Sequence, residues 1–373
     1  MDIEELKSLI ILNSVEFLSP RKIKNLIEKF GTAKDILHSS VKDIIALGDI
    51  TENIAKKILD NKNKVNPDKE IEIAKKNNIK LISYFDEEYP EQLRNLTDPP
   101  LLLYIKGELN KKDKFSLSIV GTRKSTSYGK LVVEYLVREL AKYKFTIVSG
   151  LAYGIDTLAH ECAIKNNLKT IAVLGNGIGV YYPASNRRLQ DDIPLHGGCL
   201  ISEFNYYRRP DKLTFPQRNR IIAALSLATI VVEADIKSGA LITADFACEL
   251  GKEVFAVPGS IFSRQSRGTN FLIKEGAKMI TSVEDIIEEI KEISCLFKKD
   301  IVDKDNIQDK NVIEISDDEK KVLDIIRSEP DGIHIDKLQN ISKIEINKLL
   351  NIVFKLQISG KIKETSNKTF ISF

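Results

Sequence analysis

Short apolar runs recur between residues 115 and 290, and this pattern constrains the fold more than any other feature of the chain. The runs are Leu117 to Val120, Phe145 to Val148, Thr170 to Leu174, Leu200 to Ser202, Thr229 to Val232 and Val254 to Val257. Segments with the period of a helix separate them. Strands that are apolar along their whole length are buried on both faces, as in parallel sheets covered by crossover helices. The sequence therefore predicts an α/β fold with a doubly wound parallel sheet.

Smaller segments flank this sheet region, which we assign to residues 66–297. Residues 1–65 have helical periodicity broken at glycines, which predicts a small helical N-terminal domain similar to SAM or helix-hairpin-helix modules. The Lys- and Asn-rich stretch from Asn61 to Lys69 is interpreted as a linker. Residues 298–312 are rich in Lys, Asp and Asn and predict a second, flexible linker. In residues 313–373, three helical segments precede a β-ribbon, the order of a C-terminal winged-helix domain.

Composition excludes several classes of protein. The chain has 56 Lys and Arg against 53 Asp and Glu, so a site for a polyanion must be a local concentration of cations. No basic and apolar leader and no run of about 18 apolar residues is present, so we expect a cytoplasmic protein without a membrane partner. The four cysteines lack metal-ligand spacing and are predicted to be reduced core thiols. No metal site is expected.

Small and polar residues follow several predicted strands. In an open parallel sheet, ligands bind beyond the carboxyl ends of the strands, where loops lead into helix N-termini. Glycine permits close approach, hydroxyl groups and helix amides suit an anion, and an arginine can hold it with two hydrogen bonds. The candidate residues at the first three strand ends are Gly121, Thr122, Arg123, Ser149, Gly150, Gly154, Asn176 and Gly177. Strand-to-helix turns also favour glycine for backbone reasons alone, so a purely structural role stays open.

Arginines form the strongest cationic signal, directly before the apolar helical segment Ile221 to Leu227. Arginines near a helix N-terminus oppose the helix dipole, and a bound phosphate would reverse that cost. The candidates directly before this helical segment are Arg218, Asn219 and Arg220. Those elsewhere along the chain are Asn186, Arg187, Ser238 and Gly239. In the alternative interpretation, the arginines pair with core carboxylates such as Glu203 or Glu233.

These segments together resemble the DprA/Smf family of DNA-processing proteins. The family carries G-[ST]-R, S-G-L-A-x-G-I-D-x-x-A-H, F-P-x-R-N-R-I-I-A, V-E-A-x-x-x-S-G-[SA]-L-I-T-A and V-F-A-V-P-G. The matching stretches are residues 121–123, Ser149 to His160, Phe215 to Ala223, Val232 to Ala244 and Val254 to Gly259. This chain departs from the family pattern at two positions. It has Ala184 where some relatives have lysine, and Tyr153 where some have a basic residue.

The resemblance implies a Rossmann-like domain that binds single-stranded DNA, protects incoming DNA during natural transformation and helps to load the recombinase RecA. Family members are usually homodimers. By position in the motifs, Arg123 becomes the best candidate for a phosphate contact. The resemblance places Ser149, Gly150 and Gly177 in the same pocket, with Arg218 and Arg220 on its rim.

Two other classes of function stay open. The family fold is similar to that of nucleotide N-glycosidases of the lysine-decarboxylase-like group, but residues 237–244 lack the glutamate of that group's motif. Asp156 and His160, four residues apart, resemble an acid/base pair, although a helix cap and a packed histidine explain them as well. No nucleotide cofactor is expected, because neither G-x-G-x-x-G nor a Walker lysine occurs. We therefore expect a protein that is not an enzyme. The third class of function is a protein that reads duplex DNA with its winged helix.

Overall fold

The computed structural model describes residues 1–290, 316–329, 332–358, 361–365 and 368–372. The chain forms two compact units, Met1–Cys295 and Leu296–Phe373. The predicted second linker, residues 298–312, lies outside the described residues, as does Cys295.

The first unit alternates helices and strands over most of its length. Its helices are α1 (Ile3–Asn13), α2 (Pro20–Phe30), α3 (Ala33–His38), α4 (Val41–Leu47), α5 (Glu52–Lys64), α6 (Pro67–Lys76), α7 (Glu91–Arg94), α8 (Ser127–Leu140), α9 (Ile155–Lys165), α10 (Arg187–Leu195), α11 (Thr214–Leu225), α12 (Gly239–Glu249), α13 (Arg267–Lys274) and α14 (Glu284–Glu289). Its strands are β1 (Ile79–Ser83), β2 (Leu102–Gly107), β3 (Ser116–Val120), β4 (Thr146–Ser149), β5 (Thr170–Leu174), β6 (Cys199–Ser202), β7 (Ala228–Val231), β8 (Glu253–Ala256) and β9 (Lys278–Met279).

These strands form one 9-stranded sheet in the order β1-β2-β6-β5-β4-β3-β7-β8-β9. All neighbours from β6 to β9 run parallel, and every residue of β3, β4 and β5 is buried. The order runs outward from β3 in both directions. Because βαβ crossovers are right-handed, this reversal places α8, α9 and α10 on one face and α11 and α12 on the other. The predicted doubly wound parallel sheet is confirmed.

One edge of the sheet departs from the prediction. β1 pairs antiparallel with β2, and β2 pairs antiparallel with β6. β2 is apolar and largely buried, yet it follows the turn at residues 98–100 and no helix separates it from β1 except the short α7. The alternation of strand and helix that identifies a parallel strand is therefore absent here, and β2 was not predicted.

The N-terminal helices pack around their own apolar core and belong to the same compact unit as the sheet. The predicted linker from Asn61 to Lys69 is wrong, because α5 continues to Lys64 and α6 begins at Pro67. The side chain of Asn66 accepts a hydrogen bond from the N–H of Lys69, and proline occupies the first helical position. These two residues are signals for a helix start, and they outweigh the polar composition.

The second unit has the predicted winged-helix order. Its helices are α15 (Asp317–Arg327), α16 (Ile335–Ser342) and α17 (Ile346–Ile358), and its strands are β10 (Ile333–His334), β11 (Ile362–Glu364) and β12 (Thr369–Ser372). The strands form an antiparallel sheet in the order β10-β12-β11, and buried aliphatic side chains fill the space between it and the helices. The tip of the predicted wing, residues 366–367, lies outside the described residues.

The cysteines lie only in part where the sequence predicts them. Cys162 and Cys199 are buried as predicted, but Cys248 is exposed because it lies on the outer side of α12. Within the described residues, no helix is both long enough and apolar enough to span a bilayer. The same residues contain no group of three or more His, Cys, Asp and Glu side chains that could hold a metal ion.

Candidate nucleic-acid interface

The loops that follow β3, β4 and β5 meet at the carboxyl edge of the sheet. The N–H of Ile155, after the second loop, donates to the carbonyl oxygen of Thr122 in the first loop at 3.2 Å. Gly154 has φ of +77°, and a Cβ there would lie 2.3 Å from that same oxygen. Only glycine fits this position, so Gly154 serves the contact between the two loops.

Arg123, the best candidate for a phosphate contact, lies on the surface. Its side chain is exposed, and its guanidinium lies over the ring of Phe215, 5.2 Å from the ring centroid. Within the described residues it forms no ion pair with a carboxylate. An aromatic face orients a guanidinium without neutralising its charge. Arg123 is therefore free to bind an anion at this edge.

Aromatic rings connect Arg123 to a second exposed arginine. The ring of Phe215 packs against Tyr182 with the centroids 5.3 Å apart. Arg187, at the start of α10, lies 4.8 Å from the centroid of the neighbouring Tyr181. We call this set, Arg123, Phe215, Tyr182, Tyr181 and Arg187, the arginine edge. Phe215, Tyr181 and Tyr182 were absent from the predicted site; the aromatic residues beside each arginine motif were the signal that could have found them.

Arg218 is not on the rim, contrary to the prediction. It is buried at the level of the sheet, and its Nη1 donates to the carbonyl oxygen of Gly150 at 2.6 Å and also to that of Val173. Burial lowers the pKa of Arg218 to about 10, while the charge of Asp156 acts in the opposite direction. The guanidinium thus joins the ends of β4 and β5. A Cβ on Gly150 would lie 2.5 Å from Arg218 Nη2, so this glycine accommodates an internal side chain.

Arg220 is also buried, so its predicted place on the rim is wrong. Its Nη2 pairs with Oε2 of Glu203, which is equally buried. The alternative that an arginine pairs with a core carboxylate is thus confirmed for Arg220. Glu233 has another role, since its Oε2 accepts a hydrogen bond from the N–H of Thr126 at 2.9 Å. This carboxylate caps the N-terminus of α8, where a negative charge interacts favourably with the helix dipole.

Ser149, Asn176 and Gly177 are also engaged inside the protein. The hydroxyl of Ser149 donates to the carbonyl oxygen of Ile119 at 2.7 Å, and the amide of Asn176 donates to Val180 at 2.8 Å. A Cβ on Gly177 would lie 2.1 Å from the carbonyl oxygen of Asn205. The loop after β6 therefore occupies the space that the prediction gave to a ligand. These three residues shape the edge from beneath.

Three other candidates, Thr122, Asn186 and Asn219, have buried side chains that are hydrogen-bonded within the protein. Thr122 Oγ1 accepts from the N–H of Lys124 at 3.2 Å. Asn186 donates to the carbonyl oxygen of Leu151 at 3.0 Å, and Asn219 donates to that of Gly239 at 3.1 Å.

Gly121 is held by a close approach, since a Cβ there would lie 2.6 Å from Ile155 Cγ1. Gly239, at the start of α12, differs from it. It is exposed, and a Cβ there would have no atom within 4 Å. Ser238 caps that helix by accepting from the N–H of Ala240 at 3.3 Å. The N-terminus of α12 is therefore open to solvent at the end of β7, next to β3 in the sheet.

Asp156 and His160 do not face each other as an acid/base pair. Asp156 accepts from the N–H of Gly150 at 3.1 Å, whereas His160 Nδ1 lies 2.7 Å from the hydroxyl oxygen of Thr170. Burial and, as the smaller cause, the charge of Arg218 lower the pKa of His160 to about 3. This histidine is neutral at physiological pH, and burial raises the pKa of Asp156.

Comparison with known proteins identifies the family of this chain. A family model described as DNA recombination-mediator protein A matches residues 80–291, more than half of the chain. The chain belongs to this family. The DNA processing protein DprA of Bacillus subtilis is 45% identical over 215 residues, which cover 57% of this chain and 72% of the relative. DprA of Streptococcus pneumoniae is 44% identical over 209 residues, covering 56% of this chain and 73% of the relative.

Two solved structures of the family share the fold. The structure of DprA from Streptococcus pneumoniae superimposes with a TM-score of 0.65 at 35% identity, covering 78% of this chain and 99% of the relative. That of DNA processing protein A from Helicobacter pylori, solved to describe its single-stranded DNA binding mode, gives a TM-score of 0.51 at 32% identity. It covers 59% of this chain and 96% of the relative.

Within the second unit, two lysines of α17, the helix that a winged-helix DNA reader would place in the major groove, are paired with carboxylates. Lys348 lies 2.5 Å from Asp318 and Lys355 lies 3.3 Å from Glu319, both on α15. A helix that reads base edges needs free donors and acceptors on its outer face. These pairs weaken the interpretation of α17 as a reader of duplex DNA.

Proposed function

We propose that this protein binds single-stranded DNA along the arginine edge. The observation that carries the proposal is Arg123, an exposed cation that lies over the ring of Phe215 and has no carboxylate partner in the described part of the chain. Single-stranded binders combine cations that follow the backbone with aromatic faces on which bases stack. The arginine edge supplies both, and the Helicobacter pylori relative is described as a binder of single-stranded DNA.

The binding assay is a fluorescence-anisotropy titration of the full chain with a labelled oligonucleotide at several salt concentrations. We expect single strands to bind more tightly than duplex. Arg123→Ala should weaken binding by about tenfold, the value of one charge-assisted hydrogen bond, and reduce the log-log salt slope by about 1. Phe215→Leu should also weaken binding, because stacking contributes about 1–3 kcal/mol per base.

A matched control separates this site from general positive charge. Arg188 is 93% exposed, lies next to Arg187 and pairs with Asp192 at 3.5 Å. Arg188→Ala removes the same charge and should leave both affinity and salt slope close to those of the unaltered protein. Equal losses for Arg123→Ala and Arg188→Ala would show that binding is diffuse and would refute the arginine edge as the site.

The family resemblance supports three wider proposals: that the protein is cytoplasmic, that it protects incoming DNA as a homodimer, and that it helps to load RecA. Sedimentation equilibrium measures the oligomeric state, and a monomer at micromolar concentration would refute the homodimer. A strand-exchange assay tests the loading step, with RecA added to single-stranded DNA that is already coated with a single-strand-binding protein. No gain in rate over RecA alone would refute it.

We also propose that the protein acts without catalysis. Residues 237–244 lack the glutamate of the glycosidase motif, and Glu233, which precedes this segment, is occupied at the cap of α8. The test is incubation with nucleoside monophosphates followed by chromatography for free base. Release of base that disappears in Glu233→Gln would refute the proposal.

A further inference from the structure

The loops that follow β7 and β8 lie at the same edge of the sheet as Arg123. β3, β7 and β8 are parallel neighbours, so their carboxyl ends share one edge, and β8 lies about 10 Å from β3. The N–H of Thr122 donates to the carbonyl oxygen of Glu233 at 2.7 Å. The N–H of Ala234 donates to that of Gln265 at 2.7 Å. Hydrogen bonds thus join the loop of Arg123 to the loop after β7, and that loop to the one after β8.

This part of the edge exposes large apolar side chains. Phe262 is 90% exposed and Ile261 is 77% exposed, both in the loop after β8. Ile236, in the loop after β7, is also exposed. Single apolar residues are ordinary on a protein surface. Three of them in two loops that are hydrogen-bonded to each other favour contact with another molecule.

The loop that carries Phe262 is held in place by side chains of two helices. Asn270, on α13, accepts from the N–H of Gly259 at 3.2 Å and donates to the carbonyl oxygen of the same residue at 2.9 Å. Tyr128, on α8, donates to the carbonyl oxygen of Pro258 at 2.8 Å. A loop that is already ordered costs less conformational entropy when it binds, so Phe262 is presented on a preformed surface.

Cations lie among these apolar side chains. Lys124 directly follows Arg123, and Lys237 lies in the loop after β7. Both lysines are exposed, and neither forms an ion pair within the described residues. Asp235 is already paired with Arg264 at 2.6 Å, so it does not neutralise them. Exposed cations beside an exposed aromatic ring are the combination that binds single-stranded nucleic acid.

We call this set, Lys124, Ile236, Lys237, Ile261 and Phe262, the second rim. We propose that a single strand bound at the arginine edge continues along the second rim, with phosphates beside the two lysines and a base stacked on Phe262. The inference extends the proposed function and rests on it. A nucleic acid fits better than a protein partner, because the lysines complement phosphate and the loops are continuous with that of Arg123. The gap of about 10 Å is bridged by about three nucleotides, since each adds about 3.4 Å along a strand.

Fluorescence tests the stacking directly, because the chain has no tryptophan. Phe262→Trp places one indole on the second rim. A base stacked on it should quench its emission when the full chain is titrated with an oligothymidylate of about 20 nucleotides. Leu195→Trp is the matched control. Leu195 is also exposed, but it lies where α10 leads into β6, at the opposite edge of the sheet, so this indole should keep its emission.

Truncation of the ring measures its contribution to affinity. Phe262→Ala changes an exposed side chain and should weaken single-strand binding by about fivefold or more, whereas Leu195→Ala should leave the affinity unchanged. A strand of the same length built from abasic sites keeps the phosphates but has no bases to stack, so Phe262→Ala should not weaken its binding. Lys237→Ala should reduce the log-log salt slope by about 1.

The outcomes separate this inference from the proposed function. If Arg123→Ala weakens binding while Phe262→Trp is not quenched and Phe262→Ala binds normally, the second rim is overturned and the arginine edge stands. If Arg123→Ala binds normally, both are refuted. Dissociation of Phe262→Ala into a smaller species in sedimentation equilibrium would assign the second rim to a second copy of this chain, and it would also overturn the proposal.

Discussion

His160 makes the stability of the first unit depend on pH in a predictable direction. The side chain is fully buried on α9, and its Nε2 has no hydrogen-bond partner within the described residues. Burial lowers the pKa of His160 from 6.5 to about 3. The unfolded chain therefore binds a proton on this group below pH 6.5, while the folded chain stays neutral until about pH 3. Stability from this group is present above pH 6.5 and is lost as pH falls through that window.

The size of the effect follows from linkage. One pKa unit corresponds to about 1.4 kcal/mol, so the folded state should lose about 2 kcal/mol between pH 7.5 and pH 5 through His160 alone. Burial raises the pKa of Asp156 and of Glu203, which acts in the opposite direction as pH falls. The contribution of His160 is therefore read as a difference between two proteins, not from one curve.

The assay is urea denaturation followed by circular dichroism at pH 7.5, 6.5, 5.5 and 5.0. His160→Leu removes the titrating group at similar volume, so its free energy of unfolding should fall by about 2 kcal/mol less than that of the unaltered protein over this range. His38→Leu is the matched control, because His38 is exposed, and it should keep the unaltered pH dependence. If His160→Leu and the unaltered protein lose the same free energy, the burial of a neutral histidine at this position is refuted.

Three further predictions concern residues that support the edge. Gly154→Ala should cost about 1–3 kcal/mol and lower the melting temperature, since its φ is +77° and a backbone oxygen lies 2.3 Å from the Cβ position. Gly239→Ala, in open space, should leave the melting temperature unchanged. Arg220→Met should cost about 3–5 kcal/mol by leaving Glu203 buried and unpaired; a double variant with Glu203→Leu should recover part of this in urea denaturation, and no recovery would contradict the pairing. Lys252→Met removes a cation that donates to three carbonyl oxygens at the end of α11. The change should cost about 2 kcal/mol of stability and speed amide hydrogen exchange at that end of the helix. Unchanged exchange would contradict this role of Lys252.

The sheet was predictable because buried parallel strands leave a strong signal. Each of β3 to β8 is buried over all or nearly all of its length and is separated from the next by a helical segment. The predicted runs match the strands within a residue or two. The antiparallel edge was not predictable in the same way. β2 has the composition of a central strand, but its position beside β1 and β6 depends on long-range pairing that local periodicity does not encode.

The site was predicted in part, and the failures have one cause. Arg123, Arg218 and Arg220 are the same residue type in similar motifs, and only the tertiary structure distinguishes an arginine on the surface from one beneath the loops. A segment pattern indicates which strand end a residue follows but not the depth at which its side chain lies. The position of Arg218 could have been suspected, because it lies one helical turn into α11, beyond the first exposed N–H groups.

The buried arginine still bears on binding at the edge. Arg218 keeps its charge at neutral pH, because its pKa is about 10, and the charge of Arg123 is among the causes that lower it. The two guanidinium groups therefore repel each other across the loops. If Arg123 binds a phosphate as proposed, the negative charge would offset this repulsion, and the buried cation would strengthen binding without touching the ligand. The motif residues thus divide into those that hold the loops together, with Arg218 also supplying a positive field, and those that are exposed at the proposed DNA site.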